Sequence, residues 1–110
     1  MKKISKISSN GNQLTYSTYY GTDQYDQSYF VEIGSNNNIY LFGQTETSGT
    51  NLVSNTTYFE SGAGQFIAVF SEDLSSVLRS TVVGTGKGTP DISPTAFLVD
   101  VCDKIYIAGW

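Results

Sequence analysis

The side chains of this 110-residue chain that could do chemistry are mainly carboxylates, because it contains ten acidic residues, one cysteine and no histidine. Asp23 and Asp26 lie in one polar connection, and Asp91 lies in a matching connection later in the chain. Carboxylate oxygens bind calcium and accept hydrogen bonds from sugar hydroxyls. The residue spacing of an EF-hand loop is absent, so the simpler interpretation is that these acids are solvated and cap turns.

Glu32 fits that simpler interpretation least, because it lies inside an apolar run, where an unpaired carboxylate is costly to bury. We expect it to face a central channel or to have a buried partner. A glycosidase requires two carboxylates about 5–9.5 Å apart, and Glu32 with Asp26 is the pair that the sequence offers for this role. One functional hypothesis is therefore a carbohydrate-processing enzyme that uses rim or channel carboxylates.

The chain lacks the residues of nucleophilic, phosphate-binding and zinc sites. Ser-His-Asp and Cys-His catalysis needs an imidazole, and Cys102 has only Lys104 as a basic neighbour, which favours an incidental turn thiol. The run GTGKGTP from Gly84 lacks the Gly-Lys-Ser/Thr order, and Pro90 and Pro94 prevent the helix of a phosphate loop. We therefore predict a non-enzymatic chain without cofactor or metal.

A long polar connection, residues 44–64, carries aromatic residues that are candidates for binding. Loops of this length are uncommon without a role or disorder. Exposed Tyr58 and Phe59 beside asparagine and threonine would suit carbohydrate or protein recognition, whereas the simpler interpretation packs both rings on the outer strands. The candidate ligand-binding residues of the whole chain are Asp23, Tyr25, Asp26, Glu32, Tyr58 and Asp91.

The composition excludes several classes of protein and partner. Aromatic residues make up 14% of the chain and the net charge is −4, which together predict a folded chain. Six basic residues scattered among ten acidic ones form no basic stripe, so we expect no nucleic-acid partner. The longest apolar run, Phe66–Phe70, is far shorter than the ~20 residues of a membrane-spanning helix. The start, MKKISKISS, lacks the apolar region of a signal peptide.

Short runs of tyrosine, phenylalanine, valine, isoleucine and threonine, bounded by glycine, asparagine, aspartate or serine, predict an all-β chain. Asn10-Gly11 is a strong signal for a two-residue hairpin turn. The predicted strands are Lys3–Ile7, Leu14–Tyr20, Tyr29–Ile33, Ile39–Gln44, Gln65–Phe70, Val77–Val83, Ala96–Val99 and Ile105–Gly109.

The two halves of the chain resemble each other. LTYSTYYGT, which begins at Leu14, matches VLRSTVVGT, which begins at Val77. At a slightly longer interval, NIYLFG from Asn38 matches KIYIAG from Lys104. The repeating unit has four strands, A to D, and the chain runs C-D, A-B-C-D, A-B. The half units are residues 1–22 and 95–110, and the complete unit is residues 28–84.

Two strands of the complete unit, IYLFG and FIAVF, are apolar at every position. This pattern is typical of sheets covered on both faces, as propeller blades are. A sandwich or a barrel is the alternative all-β architecture, but neither requires a four-strand repeat with internal similarity. The sequence therefore favours a β-propeller.

These motifs, with DQYDQS, FVEIGSNNNIYLFGQT, GQFIAVFSEDLSSVLRSTVVGTG and SPTAFLVDVCDKIYIAGW, resemble the bacterial seven-bladed β-propeller repeat family over nearly the whole chain. DISPTAFLVD resembles segments of large surface proteins that end in a gliding-motility-associated sorting domain. The resemblance implies four-stranded antiparallel blades, two blade-equivalents per chain, at the cell surface or outside the cell. The repeat pattern and the lack of a catalytic constellation favour a non-enzymatic adhesion or binding module for protein or glycan. The resemblance itself indicates an architecture, and a fold is not an activity.

Two blade-equivalents cannot close a ring, and half blades leave unpaired backbone groups at open strand edges. Either the chain belongs to a longer propeller, or the A-B pair of one copy completes a blade with the C-D pair of another. Two, three or four copies would give rings of about four, six or eight blades. We therefore expect a homo-oligomer or the rest of a longer propeller as the partner. A fragment or engineered building block that self-assembles is a further functional hypothesis.

Overall fold

Short apolar runs separated by glycine, asparagine and aspartate divide the chain into strands. The computed structural model describes residues 1–110. The strands are β1 (Lys2–Ile7), β2 (Leu14–Tyr20), β3 (Asp26–Ile33), β4 (Ile39–Thr45), β5 (Gln65–Phe70), β6 (Val77–Val83), β7 (Pro94–Val99) and β8 (Ile105–Gly109). A 3₁₀ turn, Ser35–Asn37, joins β3 to β4, and no helix is long and apolar enough to span a bilayer. The prediction of an all-β chain is confirmed, with each predicted strand present.

The strands form three antiparallel sheets of two, four and two strands. We call β1–β2 the N-terminal hairpin, β3–β4–β5–β6 the central sheet and β7–β8 the C-terminal hairpin. Within the central sheet each strand pairs with its neighbour in the sequence, so the sheet is a meander. β3 and β7 begin earlier than predicted, at Asp26 and Pro94, because the residues before a bulge in each strand also pair with the next strand.

The two inner strands of the central sheet, β4 and β5, are buried on both faces, which explains their runs of apolar residues. Side chains alternate between the faces of a strand, so residues of one strand supply two clusters. The N-terminal hairpin covers one face, where Ile4 and Tyr20 pack on Ile39, Leu41, Phe66, Ala68 and Phe70. The C-terminal hairpin covers the other face, where Phe97 packs among Tyr40, Phe42, Ile67 and Val69.

Aromatic contacts attach the two hairpins to the central sheet. The ring of Tyr20 lies 5.5 Å from that of Phe66 and 5.3 Å from that of Phe70. On the opposite face, Phe42 and Phe97 stack with their ring centroids 5.3 Å apart. Such pairs add about 0.5–1.5 kcal/mol beyond the burial of their area. The three sheets are therefore layered, with the central sheet in the middle.

The strand irregularities occur at corresponding places in the two halves of the chain. The register shifts between Lys6 and Ile7 in β1, and again between Val69 and Phe70 in β5. It also shifts between Ser28 and Phe30 in β3, and again between Pro94 and Ala96 in β7. The two shifts of each pair are as many residues apart as the two copies of a matching sequence motif.

The connection between β4 and β5 covers the outer edge of the central sheet. Ser54 and Ser80 exchange two backbone hydrogen bonds of 2.9 and 2.8 Å, and the Glu60 amide donates to Val82 O at 3.0 Å. The Asn55 side chain donates to Leu78 O at 3.0 Å. We call residues 52–60 the edge segment. It occupies backbone groups of β6 that would otherwise be free to pair with another chain.

Candidate functional site

Asp26 closes the turn between β2 and β3. The Thr22 amide donates to Asp26 Oδ2 at 2.5 Å, and the Thr22 hydroxyl lies 3.1 Å from the same oxygen. The buried Thr45 hydroxyl donates to Oδ1 at 2.6 Å. Burial opposes ionisation of Asp26, but the hydrogen bonds from Thr22 and Thr45 outweigh it and hold the pKa below its usual value. The carboxylate is thus a charged structural acceptor whose lone pairs are largely occupied.

Asp91 closes the corresponding turn between β6 and β7. It accepts hydrogen bonds from the Thr85 amide and hydroxyl, both at 2.7 Å, and these lower the pKa of its carboxyl. The residue before each threonine is a glycine with positive φ, +125° at Gly21 and +140° at Gly84. A Cβ on either glycine would collide with Oδ2 of the turn's aspartate, so both turns require glycine.

The turn acids Asp26 and Asp91 lie at the same end of the central sheet, where β4 and β6 end. Asp26 pairs with Thr45, the last residue of β4. At the end of β6, the side chain of buried Gln65 accepts from the Asp91 amide at 3.2 Å and donates to Ile92 O at 3.0 Å. Sequence reasoning missed this role of Gln65, for which the only signal is a glutamine beginning an otherwise apolar strand.

The structure does not bring Glu32 and Asp26 together as a catalytic pair. Directly paired residues share a face, and Glu32 pairs with Tyr40 whereas Asp26 pairs with Thr45. Tyr40 and Thr45 belong to opposite faces of β4, because an odd number of residues separates them along an alternating strand. Asp26 and Glu32 therefore lie on opposite faces as well, since the bulge at Tyr29 reverses the alternation of β3 between them. The extended strand between the two acids also separates them by about 20 Å. The 5–9.5 Å separation of a glycosidase pair, about the width of one sugar, is therefore not met.

The remaining candidates lie on separate surfaces. Asp23 and Tyr25 are exposed in the β2–β3 connection, where Asp23 Oδ1 accepts a 3.4 Å hydrogen bond from Gln24. Tyr58 lies in the edge segment beyond β6, at least three strand spacings, or about 14 Å, from β3. The structure thus distributes the candidate residues over both edges, both faces and two turns of the central sheet.

An aspartate that sequence reasoning did not nominate joins two turns. The Ser35 amide donates to Asp103 Oδ1 at 2.7 Å, and the Ser35 hydroxyl donates to Oδ2. These hydrogen bonds lower the pKa of Asp103. Because the two residues are 68 positions apart, no local pattern could indicate the contact. It fixes the β7–β8 turn of the C-terminal hairpin against the β3–β4 turn of the central sheet.

The lone thiol and the acids form no metal site. Cys102 is exposed in the β7–β8 turn, and its amide donates to Asp100 Oδ1 at 2.8 Å. The Lys104 amide donates to the same oxygen at 2.9 Å, and these two bonds hold the pKa of Asp100 below its usual value. No group of three or more cysteine, aspartate or glutamate side chains is arranged to hold a metal ion.

The edge segment presents the most exposed aromatic side chain of the long connection. Its backbone lies along β6, but Tyr58 is 76% exposed and Phe59 is 41% exposed. The Thr81 hydroxyl donates to Tyr58 O, so the backbone under the ring is anchored to the central sheet. Exposed rings on an anchored segment, with polar neighbours Asn55 and Thr57, can contact an apolar surface and hydrogen-bond at the same time.

No family model, curated protein or solved structure significantly matches this chain.

Proposed function

We propose that this chain is a non-enzymatic structural and binding module built from propeller-type blades, a repeat segment of a bacterial surface or secreted protein. The observation that carries the proposal is the burial of the inner strands of the central sheet, β4 and β5, on both faces between two hairpins. In a propeller each four-stranded blade is covered by a neighbour on either side. The central sheet would be one complete blade, and the hairpins would be halves of the adjacent blades.

Corresponding details in the two halves support the blade assignment. The bulges recur at the intervals of the sequence repeat, and each of the turns before β3 and β7 contains a glycine, a threonine and a capping aspartate. Independent sheets would have no reason to share these features. The cell-surface assignment is supported by the sequence resemblance alone.

The edge segment is the proposed binding surface. Tyrosine and phenylalanine supply contact area at low conformational cost and are enriched in protein interfaces. Their rings also present flat apolar faces to the C–H faces of sugars, while neighbouring amide and hydroxyl groups can hydrogen-bond sugar hydroxyls. The edge segment, with Tyr58 and Phe59, is a better site for a glycan or protein ligand than the turn acids are. The carboxylate oxygens of those acids already accept hydrogen bonds within the chain.

The alternative of a carbohydrate-processing enzyme has less support. Its nominated pair, Glu32 and Asp26, lies on opposite faces of the central sheet, and Asp26 is committed to Thr22 and Thr45. General acid–base catalysis of glycoside hydrolysis requires two carboxyl groups that flank the same substrate bond. The only other carboxylate of β3 is Asp26, at the opposite end of the strand.

The test is a binding screen of the folded chain on a glycan array and against purified bacterial surface proteins. A Tyr58→Ala/Phe59→Ala variant should lose at least about tenfold in affinity for any ligand found, because aromatic contacts of this kind dominate interface energetics. Tyr19→Ala is the matched control, since Tyr19 is 66% exposed but lies on β2. The control variant should bind as the parent chain does.

Two results would contradict the proposed function. One is equal loss of binding in the Tyr19 variant and the edge-segment variant, which would place the ligand elsewhere. The other is hydrolysis of chromogenic glycosides that disappears in a Glu32→Gln variant whose circular dichroism spectrum is unchanged. The second result would establish the enzymatic alternative.

A further inference from the structure

The N- and C-terminal hairpins each have an open strand edge that the chain itself cannot fill. β1 pairs only with β2, and β8 pairs only with β7. The two hairpins lie on opposite faces of the central sheet, so β1 and β8 of one chain are separated by its thickness. Unpaired backbone groups along an exposed strand form a template for another strand. A strand that pairs with either edge would come from outside these residues.

The pairing of β4 with β5 shows what fits these edges. In the sequence repeat, β8 (IYIAG) is the counterpart of the β4 residues IYLFG, and β1 (KKISKI) is the counterpart of β5, QFIAVF. Transferring the β4–β5 register to these counterparts predicts an antiparallel ladder. Its pairs are Ile105 with Ile7, Tyr106 with Lys6, Ile107 with Ser5, Ala108 with Ile4 and Gly109 with Lys3.

A cleft lies beside each open edge, where this ladder would place the partner, and the larger one, beside β1, is mainly apolar. On the N-terminal hairpin's side, a cleft of about 390 Å³ is lined by Ile4, Val31, Ile33, Ile39 and Leu74 among others. Val31 and Ile33 are 55% and 56% exposed there. On the opposite face, a smaller cleft of about 140 Å³ is lined by Ile67, Val69 and Ile105 and by the polar residues Thr56, Arg79, Ser80 and Thr81. Each hairpin thus covers only part of its face of the central sheet.

The contact between Phe42 and Phe97 indicates how the larger cleft is filled. Phe97 is the counterpart of Val31, and Ala108 is the counterpart of Phe42. In the chain, the β4 side chain Phe42 stacks on Phe97 of the following hairpin. By the same geometry, an incoming β8 places Ala108 over Val31, and Tyr106 takes the place of Tyr40, over Ile33.

We propose that a second copy of this chain docks its β8 on β1 in this register and fills the cleft over Val31 and Ile33 with Tyr106 and Ala108. This inference rests on the proposed blade architecture and deepens it by naming the partner. The sequence repeat favours the second copy, because β8 is the counterpart of β4 and β1 is the counterpart of β5. The Lys6 ammonium lies 3.8 Å from Glu72 of its own chain, and the pairing of Tyr106 with Lys6 would bring Asp100, which accepts from the Tyr106 hydroxyl at 3.1 Å, towards the same ammonium.

Cysteine cross-linking between two versions of the full chain tests the register. Both versions carry Cys102→Ser, which removes the only native thiol. One carries Ile107→Cys and the other Ser5→Cys, whose Cα atoms would be about 4.5–5.5 Å apart, within disulfide range. The matched control replaces Ser5→Cys with Lys3→Cys, on the same face but displaced along the strand, about 7–8 Å from Ile107.

After mild oxidation of the mixture, we expect a product of twice the 12.0 kDa chain mass with Ser5→Cys, at several times the yield obtained with Lys3→Cys. A second pair, Lys6→Cys with Tyr106→Cys, reports the same register from the other face and replaces the first pair if that fails to fold. Equal yields at positions 3 and 5, or no product from chains with a native circular dichroism spectrum, would overturn the proposal. Binding by the edge segment does not depend on this contact, so the cross-linking and the ligand screen can fail independently.

Discussion

The stacking of Phe42 on Phe97 allows the packing of the C-terminal hairpin to be measured. Phe42 is fully buried, Phe97 is 7% exposed, and their ring centroids are 5.3 Å apart. Replacing each phenylalanine with leucine, singly and together, removes the ring contact and keeps an apolar side chain at each position. The four proteins form a double-mutant cycle across the boundary between two sheets.

The expected magnitudes follow from burial and ring geometry. Each single replacement leaves a small cavity, for which we expect a loss of about 1–2 kcal/mol in the free energy of unfolding. A stacked aromatic pair contributes about 0.5–1.5 kcal/mol beyond its buried area. The double variant should therefore lose less than the sum of the single losses by about that amount, because the ring contact can be lost only once.

Urea unfolding followed by circular dichroism gives the four free energies, with all variants at one protein concentration so that any association affects them equally. The control cycle pairs Phe97 with Phe66, which faces the N-terminal hairpin on the opposite face of the central sheet. We expect that cycle to be additive within about 0.5 kcal/mol. Additivity of the Phe42–Phe97 cycle would refute the packing of the C-terminal hairpin on this face.

Three further predictions concern the turns. Gly84→Ala should lower the free energy of unfolding by at least about 1 kcal/mol more than Gly88→Ala in urea titrations, since both have positive φ but only the Gly84 Cβ would collide, with Asp91 Oδ2. Thr45→Val should cost about 2–4 kcal/mol, because it removes the donor to Asp26 at 2.6 Å and the acceptor of the Thr47 amide at 3.0 Å; a loss below about 0.5 kcal/mol would show that water replaces these bonds. Hydrogen bonds from Ser75 and Ser71 lower the pKa of Asp73 from 3.8 to about 2, so its contribution to stability is complete above about pH 4 and is lost as the pH falls towards 2. Unfolding measured across this window should show a shallower decline for Asp73→Asn, and an unchanged decline would contradict the assignment.

The strands could be predicted from the sequence because their signal is local. Runs such as IYLFG and QFIAVF combine β-branched and aromatic residues and end at turn formers. The same runs indicated burial on two faces, which the two clusters around the central sheet confirm. The beginnings of β3 and β7 were less predictable, because the bulges at Tyr29 and Thr95 hide the continuation of pairing beyond the apolar residues.

The candidate site was harder to predict, because it depends on alternation and on distant contacts. The bulge at Tyr29 places Asp26 and Glu32 on opposite faces, and a one-residue bulge leaves no clear mark in the sequence. The turn-capping role of Asp26 was the simpler interpretation, but its buried partner Thr45 is 19 positions away. The backbone contacts of the edge segment with β6 likewise join residues whose proximity only the folded sheet creates.

We propose that this chain carries two half blades whose open edges complete each other between copies. Native mass measurement at micromolar concentration tests this pairing, because it counts the chains in the intact assembly. We expect a discrete species at a multiple of the 12.0 kDa chain mass, and little monomer. A folded chain that remains at 12.0 kDa under these conditions, with its β-sheet circular dichroism spectrum intact, would contradict the proposed pairing.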